Sequence, residues 1–238
     1  LNILGICGTH KRKGNWSASE WLLNIALEAA KEEGANTDYI RLIDYNIIPC
    51  TACNECRIGH KCHLLEDPQD QAKIIFDKIS WADGLIFSSP TYAYQQPAIV
   101  YNLIHRTIPL HEWERSPFFG TKITAYKENP FHGKAVGNLA VSAALGHEGA
   151  LFDLFHYLKS MGATSVACAG ISLLDPEMKN LFKGAENVDP QMKELLAIPS
   201  PAITDDRQAI ALARAVGKKV AAALRSPIFQ AMKGLFKY

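Results

Sequence analysis

Short apolar runs alternate along this chain with stretches whose apolar residues recur at helical spacing, and that alternation restricts the fold more than any other feature. Asn2 to Cys7 is an apolar run closed by Gly8. A polar loop follows, and then Trp21, Leu22, Ile25, Ala26, Ala29 and Ala30 fall at helical intervals. Thr37 to Ile43 reads as a second strand. Asp70 to Ala82, carrying Ile74, Ile75 and Ile79, reads as a helix, and Gly84 to Phe87 as a buried strand that stops at Ser88-Ser89-Pro90. A helix from Pro97 to Ile108 follows, with proline in the first turn, where its missing N–H costs nothing. Ala135 to Ala143 and Ser165 to Ile171 read as strands, and Gly149 to Met161 and Asp205 to Leu224 as helices.

Strands separated by helices call for a parallel sheet covered on both faces and joined by right-handed crossovers. The expected fold is therefore α/β, a doubly wound five-stranded parallel sheet of the flavodoxin-like order 2-1-3-4-5. In such sheets ligands bind beyond the carboxyl ends of the strands, so the loops after Cys7, Ser88 and Ala143 are expected to meet at one site. Two stretches, 109–133 and 172–204, keep no clean period and read as insertions. Residues 1–225 are expected to form one domain, and residues 226–238 a tail. The tail's apolar stripe (Ile228, Phe229, Met232, Leu235, Phe236) suits a subunit contact better than a membrane, because Lys233 and Lys237 give little attraction to anionic lipid.

The 238 residues carry a net charge of +1, which supplies no positive field for nucleic acid. No apolar stretch approaches the roughly 20 residues that cross a bilayer, and the first residues lack a charged leader, so a cytoplasmic protein is expected.

The first loop, Gly8-Thr9-His10-Lys11-Arg12-Lys13-Gly14-Asn15-Trp16-Ser17, lies between a strand and a helix. Free N–H groups and the helix dipole make that position an anion site, to which hydroxyls, an amide and three cations are added. The loop follows neither the dinucleotide nor the nucleoside-triphosphate glycine pattern. The plainer reading is a capping box of Ser17 and Glu20, and capping is compatible with phosphate binding.

These residues, Thr9, Lys11, Lys13, Asn15, Ser17 and Ala18, resemble the phosphate loop of the NADPH-dependent FMN reductase superfamily. Ser89-Pro90-Thr91-Tyr92-Ala93 is similar to its S-P-x-Y turn, and Gly146-His147-Glu148 to its third, Gly-rich loop. The resemblance spans Asn2 to Ile108 and Lys134 to Ile171. It implies FMN, with its phosphate on the first loop and its ring against Pro90, Thr91, Tyr92, Ala93, Gly146, His147 and Glu148. Trp16 departs from the pattern, standing where a small hydroxyl residue is common, a role that falls to Ser17.

Four of the six cysteines crowd into residues 50–62 as Cys50-x2-Cys53-x2-Cys56-x5-Cys62. Three thiolates stepped by two residues wrap one cubane, with the wider gap bringing back the fourth. Structural zinc, whose knuckles are usually well separated, and free redox-active thiols are the alternatives. His60 and His63 are able to substitute as ligands but read as solvent-facing residues of a polar loop, and Cys7 and Cys168 as small core hydrophobes within strands. The compact motif resembles that of the iron-sulfur flavoproteins, which implies a 4Fe-4S cluster on Cys50, Cys53, Cys56 and Cys62. It also implies a homodimer or homotetramer, with one subunit's cluster near another's flavin. The implied activity is electron transfer from ferredoxin or NAD(P)H to a small-molecule or protein acceptor, with no side chain acting as nucleophile or base. Two other functions stay open: a cluster-free NAD(P)H-dependent FMN or quinone reductase, and a non-catalytic redox sensor.

Overall fold

The computed structural model describes residues 1–116, 120–125, 129–142, 146–172 and 203–235. Five strands, β1 (Asn2–Cys7), β2 (Asn36–Arg41), β3 (Gly84–Pro90), β6 (Ala135–Ser142) and β7 (Thr164–Ser172), pair in parallel in the order β2-β1-β3-β6-β7. This is the expected 2-1-3-4-5 sheet. Its central strands β1, β3 and β6 are almost wholly buried, as a sheet covered on both faces requires.

Side chains alternate across the sheet, so each strand feeds two cores. Ile3, Cys7, Ile86 and Leu139 face helices α1 (Ala18–Glu32) and, near the chain's end, α6 (Arg207–Arg225). Past the one-turn helix α2 (His63–Glu66), helices α3 (Ala72–Trp81), α4 (Ala98–His105) and α5 (His147–Ser160) face Leu4, Ile6, Leu85 and Phe87. The α1–α6 contact is unusually close. A Cβ on Gly217 would lie 1.9 Å from the Ala26 carbonyl oxygen, so only glycine lets the two backbones meet there.

The structure moves several expected boundaries. The second strand ends at Arg41 because Leu42–Asp44 turns into a short 3-10 segment. Pro97 is the N-cap of α4 rather than a residue of its first turn. His147 and Glu148, expected in a loop, begin α5, whose cap Gly146 takes φ 94°, a conformation that favours glycine. The stretch expected to be an irregular insertion at 109–133 contains an antiparallel pair, β4 (Glu112–Ser116) and β5 (Gly120–Ala125). Most of the second insertion, 172–204, lies outside the described residues.

Cys168 is a correction. It is exposed, because β7 is an edge strand whose buried residues, Ala169 and Ile171, leave Cys168 on the less covered face. Cys7 is fully buried as expected, and burial pushes its thiol up to about 12. The tail contains a short helix, α7 (Pro227–Leu235), with Phe229 buried and Ile228 exposed; Phe236 lies outside the described residues. Among the described residues no helix is long and apolar enough to cross a membrane.

Candidate functional site

The first loop ends at Ser17, the N-cap of α1, whose hydroxyl accepts from the Glu20 N–H at 3.5 Å. Only half of the expected capping box forms. The Glu20 carboxylate turns instead to Arg41, 3.2 Å away. Arg41, nearly buried, also donates to the Lys11 carbonyl and lies 3.7 Å from Asp44, so it props the loop from below. Sequence reasoning missed Arg41. Its available signal was a cation directly after Tyr39-Ile40 at the end of the second strand, in register with Cys7 at the carboxyl edge of the sheet.

Thr9 and Ser17 are buried, and the Ser17 hydroxyl donates to that of Thr9 at 3.1 Å. His10 through Trp16, which include Lys11, Lys13 and Asn15, form an exposed rim; Ala18 opens the helix behind it. Lys11 Nζ stands 5.7 Å from the centroid of Trp16, a cation–π contact that uses the residue departing from the family pattern.

The second loop leaves β3 at Pro90. Thr91 N–H donates to the Val141 carbonyl at 2.8 Å, while its buried hydroxyl has no partner among the described residues. Tyr92 and Gln95 exchange backbone hydrogen bonds around Ala93 and Tyr94, which both have positive φ, 47° and 66°. Non-glycine residues in that region cost of order 1–3 kcal/mol each and gather at ligand sites. The Tyr92 ring stacks with His10 at 5.7 Å and an interplanar angle of 25°, joining the first loop to the second. Gly146 and Gly149 join the third: a Cβ on Gly146 would lie 2.3 Å from the Tyr94 ring, and one on Gly149 2.2 Å from the Tyr94 carbonyl oxygen. His147 Nδ1 lies 3.1 Å from the Ser172 hydroxyl, and Nε2 3.3 Å from Glu148. The three expected loops therefore meet. Their chemistry fits a flavin phosphate and ring: a capped helix N-terminus, buried hydroxyls at Thr9 and Ser17, an orphaned Thr91 hydroxyl, and an aromatic turn.

The four clustered cysteines line one small pocket of about 80 Å³. The chain enters this loop in a fixed position: Ile48 N–H donates to Asp70 at 2.9 Å, and Arg106 Nη1 donates to the Ile48 carbonyl at 2.8 Å. Ala52 and Asn54, with φ 55° and 62°, turn the backbone on either side of Cys53. Burial, reinforced by the neighbouring thiols of Cys62, Cys53 and Cys50, raises the Cys56 thiol. A cationic centre relieves the mutual repulsion of neighbouring thiolates by binding them deprotonated. The donor set fits an iron–sulfur cluster. His63 is exposed and lies 3.7 Å from Glu55; its ligand atom, with those of Cys53 and Glu55, falls within a 4.8 Å group. His60 is exposed.

A parallel 2-1-3-4-5 sheet whose carboxyl-edge loops gather a helix N-terminus, free hydroxyls and an aromatic turn defines a flavodoxin-like protein. The model of the NADPH-dependent FMN reductase family matches residues 1–173, and the chain belongs to that family. It is 34% identical over 110 residues to an iron-sulfur flavoprotein of Methanocaldococcus jannaschii, covering 46% of this chain and 53% of that protein. An iron-sulfur flavoprotein of Methanosarcina thermophila is likewise 34% identical over 110 residues, covering 46% and 54%. The matched part thus spans about half the length of these curated relatives. Among solved structures, RosB with a bound formylriboflavin phosphate intermediate is similar at TM-score 0.65 and 15% identity, over 97% of this chain and 81% of RosB. A flavone reductase is similar at TM-score 0.61 and 18% identity, over 95% and 64%. At these identities the likeness shows the fold.

Proposed function

We propose that this chain is an electron-transfer oxidoreductase holding FMN at the three-loop site and a 4Fe-4S cluster on Cys50, Cys53, Cys56 and Cys62. The observation that carries the reading is the single pocket lined by all four clustered cysteines, in a chain of the FMN reductase family. FMN supplies electron exchange in pairs or singly, and a cluster exchanges one at a time, so together they connect two-electron and one-electron partners.

The chain's own residues bind and orient. Thr9, Asn15, Ser17 and Ala18, with Lys11 and Lys13, would hold the phosphate. Pro90, Thr91, Tyr92 and Ala93 would edge the ring, and Gly146, His147 and Glu148 would close it. The donor would be ferredoxin or NAD(P)H, and the acceptor a small molecule or protein. A thiol-rich loop suits a reducing compartment, hence the cytoplasm. We place the flavodoxin-like domain at residues 1–225 and assign the tail from residue 226 to a homo-oligomer contact.

Iron, acid-labile sulfide and flavin analysis of one anaerobic preparation, with its visible spectrum, tests this reading. Iron and sulfide in equal amounts beside stoichiometric FMN are expected; a clean flavin spectrum without iron would refute it. A second reading, a cluster-free FMN or quinone reductase binding zinc, draws on the Cys53, Glu55 and His63 group. It predicts zinc in place of iron in the same preparation.

A further inference from the structure

Arg106 follows the last residue of α4 and is 1% exposed. Its Nη1 is engaged, donating to the Ile48 carbonyl at 2.8 Å and to the buried Asp70 carboxylate. Its Nε and Nη2 are also buried, yet have no hydrogen-bond partner among the described residues. A guanidinium does not shed its proton, and a buried donor without an acceptor costs about 1–3 kcal/mol. A fold that buries two such donors on one side chain has an acceptor for them in its working state. Arg106 lines the same pocket as Cys50, Cys53, Cys56 and Cys62, so the acceptor chemistry beside it is sulfur.

We propose that Arg106 donates hydrogen bonds through Nε and Nη2 to sulfur atoms of the cluster in this pocket, and thereby raises the cluster's reduction potential. This rests on the cluster reading above. Hydrogen bonds to sulfur favour the form carrying the additional negative charge, which is the reduced one. Asp70 balances the charge of the guanidinium but occupies neither donor, so the effect belongs to the N–H groups. The rival explanation is that Arg106 serves only to fasten Ile48. Arg106→Lys separates the two roles, because lysine keeps a cation for Asp70 and a donor for Ile48 but has no counterpart to the Nε and Nη2 fork.

The test is a redox titration followed by electron paramagnetic resonance on the wild type and on Arg106→Lys, with iron and sulfide counted in each. In it, one electron passes from a dithionite-poised mediator to the oxidised cluster. The variant is expected to keep iron and sulfide. At the potential that half-reduces the wild-type cluster, its ratio of reduced to oxidised cluster should be about tenfold lower, equivalent to about 59 mV for one electron. The flavin potential should not move. If Arg106→Lys fails to fold or to load, the double variant Arg106→Gln/Asp70→Asn removes both charges together, and its cluster should show the same downward shift. Equal cluster potentials in the wild type and a loaded variant overturn the inference and leave the cluster reading standing. A wild type without iron and sulfide overturns both.

Discussion

Asp70 and Arg106, 36 residues apart and both shielded from solvent, grip the same residue: Asp70 accepts from the Ile48 amide, and Arg106 donates to the Ile48 carbonyl. Asp70 Oδ1 also accepts from Ala72 N–H at 3.0 Å, so the pair ties the entry of the cysteine loop to the start of α3. Asp70→Ala leaves a buried guanidinium unpaired and should lower unfolding free energy by about 3–5 kcal/mol. Urea unfolding of the flavin-free protein checks this; a loss below 1 kcal/mol would show that water reaches Arg106.

Replacing Asn15 and Ser17 together by alanine should weaken FMN binding by about 1–3 kcal/mol, the size of the hydrogen bonds lost to a charged phosphate. Ser17→Ala alone should also cost about 1 kcal/mol of stability without flavin, because it removes the α1 cap. A fluorescence titration and a melting curve report the two effects separately, and unchanged flavin affinity would move the phosphate elsewhere.

Gly149→Ala puts a Cβ against the Tyr94 carbonyl oxygen, a backbone atom that cannot swing aside. The turn carrying Tyr92 should shift, lowering unfolding free energy by about 1–3 kcal/mol, the usual size of an overpacking penalty, and weakening flavin binding. Iron content should hold, since the nearest atoms to that Cβ all belong to Tyr94, which does not line the cysteine pocket. Loss of iron with retained flavin would reverse the assignment of the two sites.

Burial is the main cause of the rise of the Cys7 thiol from 9.0 to about 12, with Glu20 and Asp44 adding to it. A raised folded-state value means the stabilisation is complete below pH 9. It is lost as pH rises from 9 towards 12, because the unfolded chain ionises first. Between about pH 8 and about pH 10.5, wild-type stability should fall by about 2 kcal/mol relative to Cys7→Ala, at 1.36 kcal/mol per pH unit. Parallel pH profiles for the two proteins would contradict it.

Cys56→Ala should lower iron and acid-labile sulfide while flavin stays bound, because its pocket is built from a different part of the chain than the three loops of the proposed flavin site. Cys168→Ala should change neither. The reason is its place on the less covered face of edge strand β7, apart from the residues that line the pocket, rather than burial in the core.

The sheet order was legible because the central strands β1, β3 and β6 are largely apolar runs set off by helix-period segments, and parallel connection by right-handed crossovers leaves few arrangements. The cysteine loop was legible because its ligands are local. What escaped was long-range. Arg41 reaches the Lys11 carbonyl from the next strand, and Arg106 meets Asp70 across 36 residues, so no local spacing announces either contact. The β4–β5 pair was missed for a related reason: it sits among residues with no strict alternation, and its antiparallel register shifts between Glu112 and Trp113. Cys168 failed because a strand's pattern does not say whether it lies at the centre or the edge of its sheet.

Helix α4 begins directly after the Tyr92–Gln95 turn and Pro97, and its last residue His105, with Arg106 beyond it, lines the cysteine pocket. Eight residues at about 1.5 Å each make a rod about 12 Å long, with one proposed cofactor site at each end. Thermodynamic linkage then runs both ways along it: if filling the flavin site tightens the cysteine pocket by some factor, filling the pocket tightens flavin binding by the same factor. Loading order would leave the final affinities unchanged and alter only which partially assembled protein accumulates on the way.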